Sequence, residues 1–385
     1  MKGIPKFKAF LFEPIFIIIA TGLVYISKLL PINPFYFGLL LAIFLYIGII
    51  LTKPTLPVVR IPVGCDRFLI LVHFMLFCHI LINSYINQVI LKDPILLILS
   101  ICFFYFPLRL SKLKQDSITK FLSIFRFIII SVIAFECFYR LLHPVYFLGP
   151  NRTSPVEGFY IYKFSSVMFT DSNQVGVLIT CFFSLLLYFN EKKILYTNKI
   201  ILGIVFLFLI LTFSRAALLG SCCFLIYWYI FRKLSYMNRG FIIIALCIPA
   251  VFLINYCLSD ESFKTKLFIY NKTYEWLKDT NTFNLLIGVG MQNSIKALSF
   301  YAHNYFSLFL VEYGLIGLIL FLMQIVIMIV LSKGTLFIII PYLVLGLSYI
   351  PYFSPYLYLC LGIIFSFDYY SKNNRSKNFN LLSNR

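Results

Sequence analysis

Long apolar stretches separated by short polar connections leave this chain few ways to fold. They lie near residues 10–28, 34–51, 68–86, 94–110, 121–142, 173–190, 200–213, 216–231, 241–258, 304–331, 335–351 and 354–369. About 20 mostly apolar residues carry a helix across a bilayer, and inside that slab the backbone must satisfy its own hydrogen bonds. The pattern predicts an all-α polytopic membrane protein with about twelve transmembrane helices, a single integral membrane domain over 1–385. Composition agrees: 61% of residues are hydrophobic and 12% charged, where a soluble domain is roughly 25% charged. A soluble enzyme and a disordered chain are therefore excluded. The two stretches flanking Ser214 and Arg215 are short, which admits a re-entrant bend there. The last two are divided only by Pro351 and Pro355 and admit a different division.

The net charge of +19 would suggest nucleic acid on a soluble protein. On a membrane protein it first reports topology, because Lys and Arg in short loops collect on the cytoplasmic side. With the amino terminus inside, 21 of the 33 basic residues fall on the inner face with four acidic ones, whereas the outer loops carry nearly balanced charge. An even number of spans with both termini cytoplasmic follows, and residues 370–385 form a cytoplasmic tail. The first apolar stretch follows MKGIPKFKAF without a small-residue cleavage site, so an uncleaved span is expected. Nucleic acid is not an expected partner; the lipid bilayer is.

Two outer loops are long, at 143–172 and 259–303. In the second, Phe263, Leu267, Tyr270, Tyr274 and Leu277 recur at spacings of four and three, one face of a helix. This predicts a short amphipathic helix lying on the outer membrane surface, or else capping the bundle. Gly288 and Gly290 follow, suited to close backbone approach or left-handed turns. His303 and Asn304 then open a span containing Glu312, Gly314 and Gly317. There is no CxxC pair, no Cys/His ligand spacing and no phosphate-binding loop of the GxxxxGK[ST] type. No metal or cofactor is expected, and the ten cysteines read as small packing residues.

Two segments, LTFSRAALLG at 211–220 and GVGMQNSIKALSFYAHNYFSLFLVEYGLIGLILF at 288–321, together resemble the O-antigen polymerase/O-antigen ligase family of bacterial envelope glycosyltransferases. The shared pattern is a Ser-Arg-Gly/Ala turn of small residues, a large outer loop, His-Asn, and Glu-x-Gly-hydrophobic-hydrophobic-Gly. Asp171-Ser172-Asn173-Gln174 resembles the family's Asp-Pro-Asn-like element, with Ser172 in place of the common Pro. The likeness covers roughly 170–325. It implies metal- and nucleotide-independent glycosyl transfer on the outer face of the bacterial inner membrane, from a glycan on undecaprenyl diphosphate. The acceptor is a second lipid-linked repeat unit for a polymerase of O-antigen or capsule, or lipid A-core for a ligase. A chain-length regulator and a flippase are the protein partners it implies. The family's functional residues map onto Arg215 and His303. Its second arginine in the large loop has no counterpart, since no Arg lies between Arg239 and Arg375.

Charge develops on the diphosphate leaving group as the C1–O bond breaks, so cations fixed there favour the transition state. Arg215, between two apolar helices, is the first candidate, against snorkelling to outer headgroups. Lys266 and Lys272 are candidates for a second cation, against a solvated helix face. His303 is the candidate base toward the acceptor hydroxyl, against a structural role. Asp171, Asn173 and Asn304 either bind sugar hydroxyls or cap helices. Arg140 either pairs internally with Glu136, four residues earlier, or lines the glycan path. A transporter or carrier of lipid-linked sugars, without catalysis, is the alternative of another class.

Overall fold

The computed structural model describes residues 65–105, 107–108, 115–146, 161–168, 172–235, 238, 261–349 and 354–368. These residues form helices and no strands. The α-helices are α1 (Cys65–Ile86), α2 (Lys92–Cys102), α3 (Gln115–Leu142), α4 (Ser172–Glu191), α5 (Lys199–Ile210), α6 (Arg215–Tyr229), α7 (Glu261–Asp279), α8 (Thr282–Ile287), α9 (Ser294–Leu298), α10 (Tyr305–Leu331), α11 (Leu336–Gly346) and α12 (Pro355–Asp368). Four helices are long and apolar enough to cross a membrane, at Arg67–Ile86, Thr119–Leu142, Ser172–Glu191 and Tyr305–Leu331. The chain is a multi-pass helical membrane protein. The stretches at 10–28, 34–51 and 241–258 lie outside the described residues, as do Asp171 and the tail from 370. The stretch at 94–110 is helical only to Cys102, where residues 103–105 turn.

α4 is the central helix. Its apolar window is 89% buried, against 39–44% for the other three long helices, and a helix that is apolar all round belongs inside. It packs against α5, α6 and α11. Small residues bring these backbones close, as packing between helices in lipid requires. A Cβ on Gly176 would sit 2.7 Å from Ala217, and one on Gly220 would sit 2.5 Å from the Pro341 carbonyl oxygen.

α10 is broken. Gly314 takes φ +68°, ψ −173°, which no helix accommodates. The break frees carbonyls that bulk water cannot reach, and neighbouring groups take them up. Val289 N donates to Val311 O at 2.9 Å and Gly290 N to Glu312 O at 3.1 Å. Asn83 Nδ2 donates to Glu312 O at 3.0 Å and to Ile287 O at 2.6 Å, and His79 Nε2 lies 2.7 Å from Tyr313 O. Gly288 and Gly290 adopt φ near +90°, as their spacing suggested. The Glu312 carboxylate is buried and accepts from Ser294 Oγ at 2.6 Å.

One end of the bundle is tied by Asp368. Its carboxylate accepts from Gly334 N at 2.7 Å, Ser332 Oγ at 3.0 Å and Tyr188 Oη at 3.1 Å, and Lys192 Nζ approaches to 3.2 Å. The C-terminal ends of α4, α10 and α12 therefore meet at one end. This is the relation expected of segments that share one side of the membrane.

Candidate functional site

α5 and α6 span 12 and 15 residues. At about 1.5 Å per residue, each is shorter than the roughly 30 Å hydrocarbon core. The turn between them is built from its own polar side chains. Thr212 Oγ1 donates to Leu209 O at 2.7 Å and accepts from Ser214 N at 3.2 Å. Phe213 adopts φ +55°, uncommon for a bulky residue. Ser214 caps α6, accepting from Ala217 N at 3.4 Å. Arg215 is then the first helical residue, and it is exposed. A cation at that position faces the positive end of the helix dipole, so helix stability does not explain it. An anion there would meet the guanidinium at the positive end of the helix.

Asn173 meets this turn: its Oδ1 accepts from Ser214 Oγ at 2.8 Å. Seven residues further on, Ser221 Oγ donates to Thr180 Oγ1 at 3.4 Å, so α4 and α6 run parallel and in register. Of the alternatives for Asn173, the structure gives a side-chain bond to the residue before Arg215. Asn304 is an N-cap. Its Oδ1 accepts from Ser307 N at 2.8 Å, and its side chain is buried. His303, one residue before, is exposed and edge-on to Tyr301, with ring centroids 5.3 Å apart. Burial pushes the Tyr301 phenol above its ordinary range, so it stays protonated at neutral pH.

The register of α6 against α11 relates these elements. Trp228 meets Phe337 at a tilt with centroids 4.2 Å apart, and Phe224 meets the same ring at 5.1 Å. Gly220 meets Pro341 and Leu345. Moving back along α6 advances along α11, so the two are antiparallel and Arg215 comes level with the end of α11. That end is where Gly346 receives the ring of Tyr305, two residues after His303. Tyr270 of α7 also bonds there, donating to Leu347 O at 3.3 Å. Arg215, His303 and α7 thus belong to the same end of the bundle, opposite Asp368.

The helix predicted in the second outer loop forms as α7. Ile269 and Thr273 are buried and Trp276 is half-buried against the core, whereas Leu267, Tyr270 and Tyr274 stay exposed. Thr273 Oγ1 donates to Ile269 O at 2.8 Å, which satisfies the buried hydroxyl within its own helix. Lys272 is paired with Glu275 at 2.7 Å and lies 5.7 Å from the Phe268 ring. Lys266 is half-buried. Arg140 is wholly buried, with Nε 2.7 Å from Glu136 Oε1. Of its two alternatives, the described residues show the internal pair with Glu136.

Three features of this region escaped sequence reasoning. One is the ring of Tyr162 stacked on Phe213 at 6.0 Å. Another is the break at Gly314, because the apolar stretch at 304–331 predicts one continuous span. The third is the support from α1, which a signal could have revealed: His79, Asn83 and Asn87 recur every four residues in an apolar stretch, one polar stripe. Among the described residues, no three His, Cys, Asp or Glu side chains gather. No family model matches the chain, and no curated protein matches it.

Proposed function

We propose that the chain is an O-antigen or capsule repeat-unit polymerase of the bacterial inner membrane. It transfers glycan from undecaprenyl diphosphate to a lipid-linked acceptor on the outer face. The observation that carries this reading is the convergence of the resembling segments: Asn173 bonds Ser214 beside Arg215, and the register of α11 brings the His303 end to the same level. Arg215 stabilises the diphosphate as it departs. His303 accepts the proton of the attacking hydroxyl, whose oxygen forms the new bond to C1. Lys266 on α7 supplies further positive charge. Lys272, already met by Glu275, contributes less.

Two other readings remain distinct. A ligase would deliver finished glycan to lipid A-core. A transporter of lipid-linked sugars is favoured by one observation, the interrupted α10, because discontinuous helices form the substrate sites of many transporters. Deleting the chain from its host separates polymerase from ligase, and a liposome assay tests for a transporter. A polymerase leaves a single repeat unit on the core in place of the ladder on an envelope gel. A ligase leaves every core uncapped while long lipid-linked polymer accumulates. A transporter moves labelled lipid-linked sugar across liposomes and keeps doing so after His303→Ala.

A further inference from the structure

Glu136 and Arg140 do more than neutralise each other. Both side chains are wholly buried in α3, and their polar atoms extend to the chain beyond it. Glu136 Oε2 accepts from Val167 N at 3.0 Å and Met168 N at 3.2 Å, and Arg140 Nη1 donates to Lys163 O at 3.1 Å. One ion pair thus holds three backbone groups of residues 163–168. The segment is fastened at its start as well, where Val145 N donates to Ile161 O at 2.7 Å. Its next residue, Tyr162, lies over Phe213 with ring centroids 6.0 Å apart and planes 22° apart. Phe213 is the residue at φ +55°, two positions before Arg215. A bulky side chain in that backbone region is strained and persists only where its surroundings determine it.

We propose that Glu136 and Arg140 are positioning residues for Arg215: they seat residues 161–168, Tyr162 in turn seats Phe213, and the turn so fixed sets where the Arg215 guanidinium points. A buried ion pair is by itself weak evidence for stability, since apolar residues of similar size often replace one without loss. Here replacement would remove three bonds to backbone groups at the edge of an apolar slab. The two roles therefore make different predictions. If the pair only cancels charge, removing both charges together is harmless. If it positions the loop, removing both releases Tyr162. The link from α3 to the Arg215 turn rests on these contacts alone. Its service to glycosyl transfer rests on the proposed function.

The test uses the full chain in lipid nanodiscs with 4-fluorophenylalanine at position 213, whose fluorine resonance reports the ring's surroundings. Tyr162→Leu fixes the resonance of the unstacked ring. Phe127→Leu, on the exposed face of the same helix, controls for unspecific effects. Glu136→Gln and the charge-free pair Glu136→Leu with Arg140→Met are expected to move the resonance toward the Tyr162→Leu position. Adding Glu136→Gln to Tyr162→Leu should move it no further. In polymerisation, both α3 variants should lower kcat about tenfold or more with little change in KM for the lipid-linked donor, because misdirected charge is felt mainly in the transition state.

An unchanged resonance and kcat in the folded charge-free pair would overturn the proposal. So would a resonance indifferent to Tyr162→Leu, which settles the matter even where an α3 variant does not fold. A wild-type protein that makes no polymer while its resonance responds as described would keep the positioning link and overturn the functional reading. Polymerisation with an unresponsive resonance would do the reverse.

Discussion

A guanidinium at the first position of a helix works against the backbone dipole by about 0.3–1 kcal/mol, and Arg215 occupies that position in exposed form. Replacing it by Ala should therefore leave thermal unfolding unchanged or raised by less than about 1 kcal/mol, while transfer is lost. A parallel fall in stability and activity would assign Arg215 to the fold. Asn304 has the opposite profile. Its Oδ1 caps α10, so Asn304→Ala should cost about 1 kcal/mol in chemical or thermal unfolding and Asn304→Asp should restore most of it. Single residues were legible in the sequence where chemistry alone marks them: Arg215 stands in an apolar stretch and His303 at a loop edge. What Asn173, Asn304 and Arg140 do was not legible, because a cap, a sugar contact and an internal pair use the same side chains. Only the partners at 2.7–2.8 Å separate these uses.

At the scale of elements, the break in α10 is the feature most exposed to substitution. A Cβ on Gly314 would meet the Leu286 carbonyl oxygen at 2.3 Å from a backbone at φ +68°. Gly314→Ala should therefore destabilise by at least about 1–3 kcal/mol, measured as a lowered unfolding midpoint in detergent. Gly203, in α5, has nothing within 4 Å of an added Cβ, so Gly203→Ala should cost nothing. Equal effects of the two would mean that 286–290 does not dock against the break. The glycines announced a turn or close approach, yet their partner could not be read, since 288 and 312 meet only through the fold. α7 shows the same limit. Periodicity predicts the helix and its apolar stripe, but not that the protein packs on Ile269, Thr273 and Trp276 beside that stripe.

Across the whole molecule, the ends of the helices carry the argument. Positive charge in short loops assigned Glu191, Lys333 and Asp368 to one side, and Asp368 gathers the ends of α4, α10 and α12. Asp368→Asn should lower stability by about 2 kcal/mol, from lost charge-assisted bonds, with transfer at the far end retained in the folded protein. A cysteine at 270, in a variant lacking the native cysteines, should react with an impermeant reagent from outside. Labelling only from the cytoplasm would invert the topology. Under the proposed function, one end of the bundle holds Arg215 and His303 for nucleotide-free glycosyl transfer. Its most direct test supplies purified protein with an undecaprenyl-diphosphate-linked repeat unit, EDTA and no nucleotide. Polymer is expected from the wild type and its loss with Arg215→Ala and with His303→Ala; undiminished polymer from both variants would overturn the proposed function.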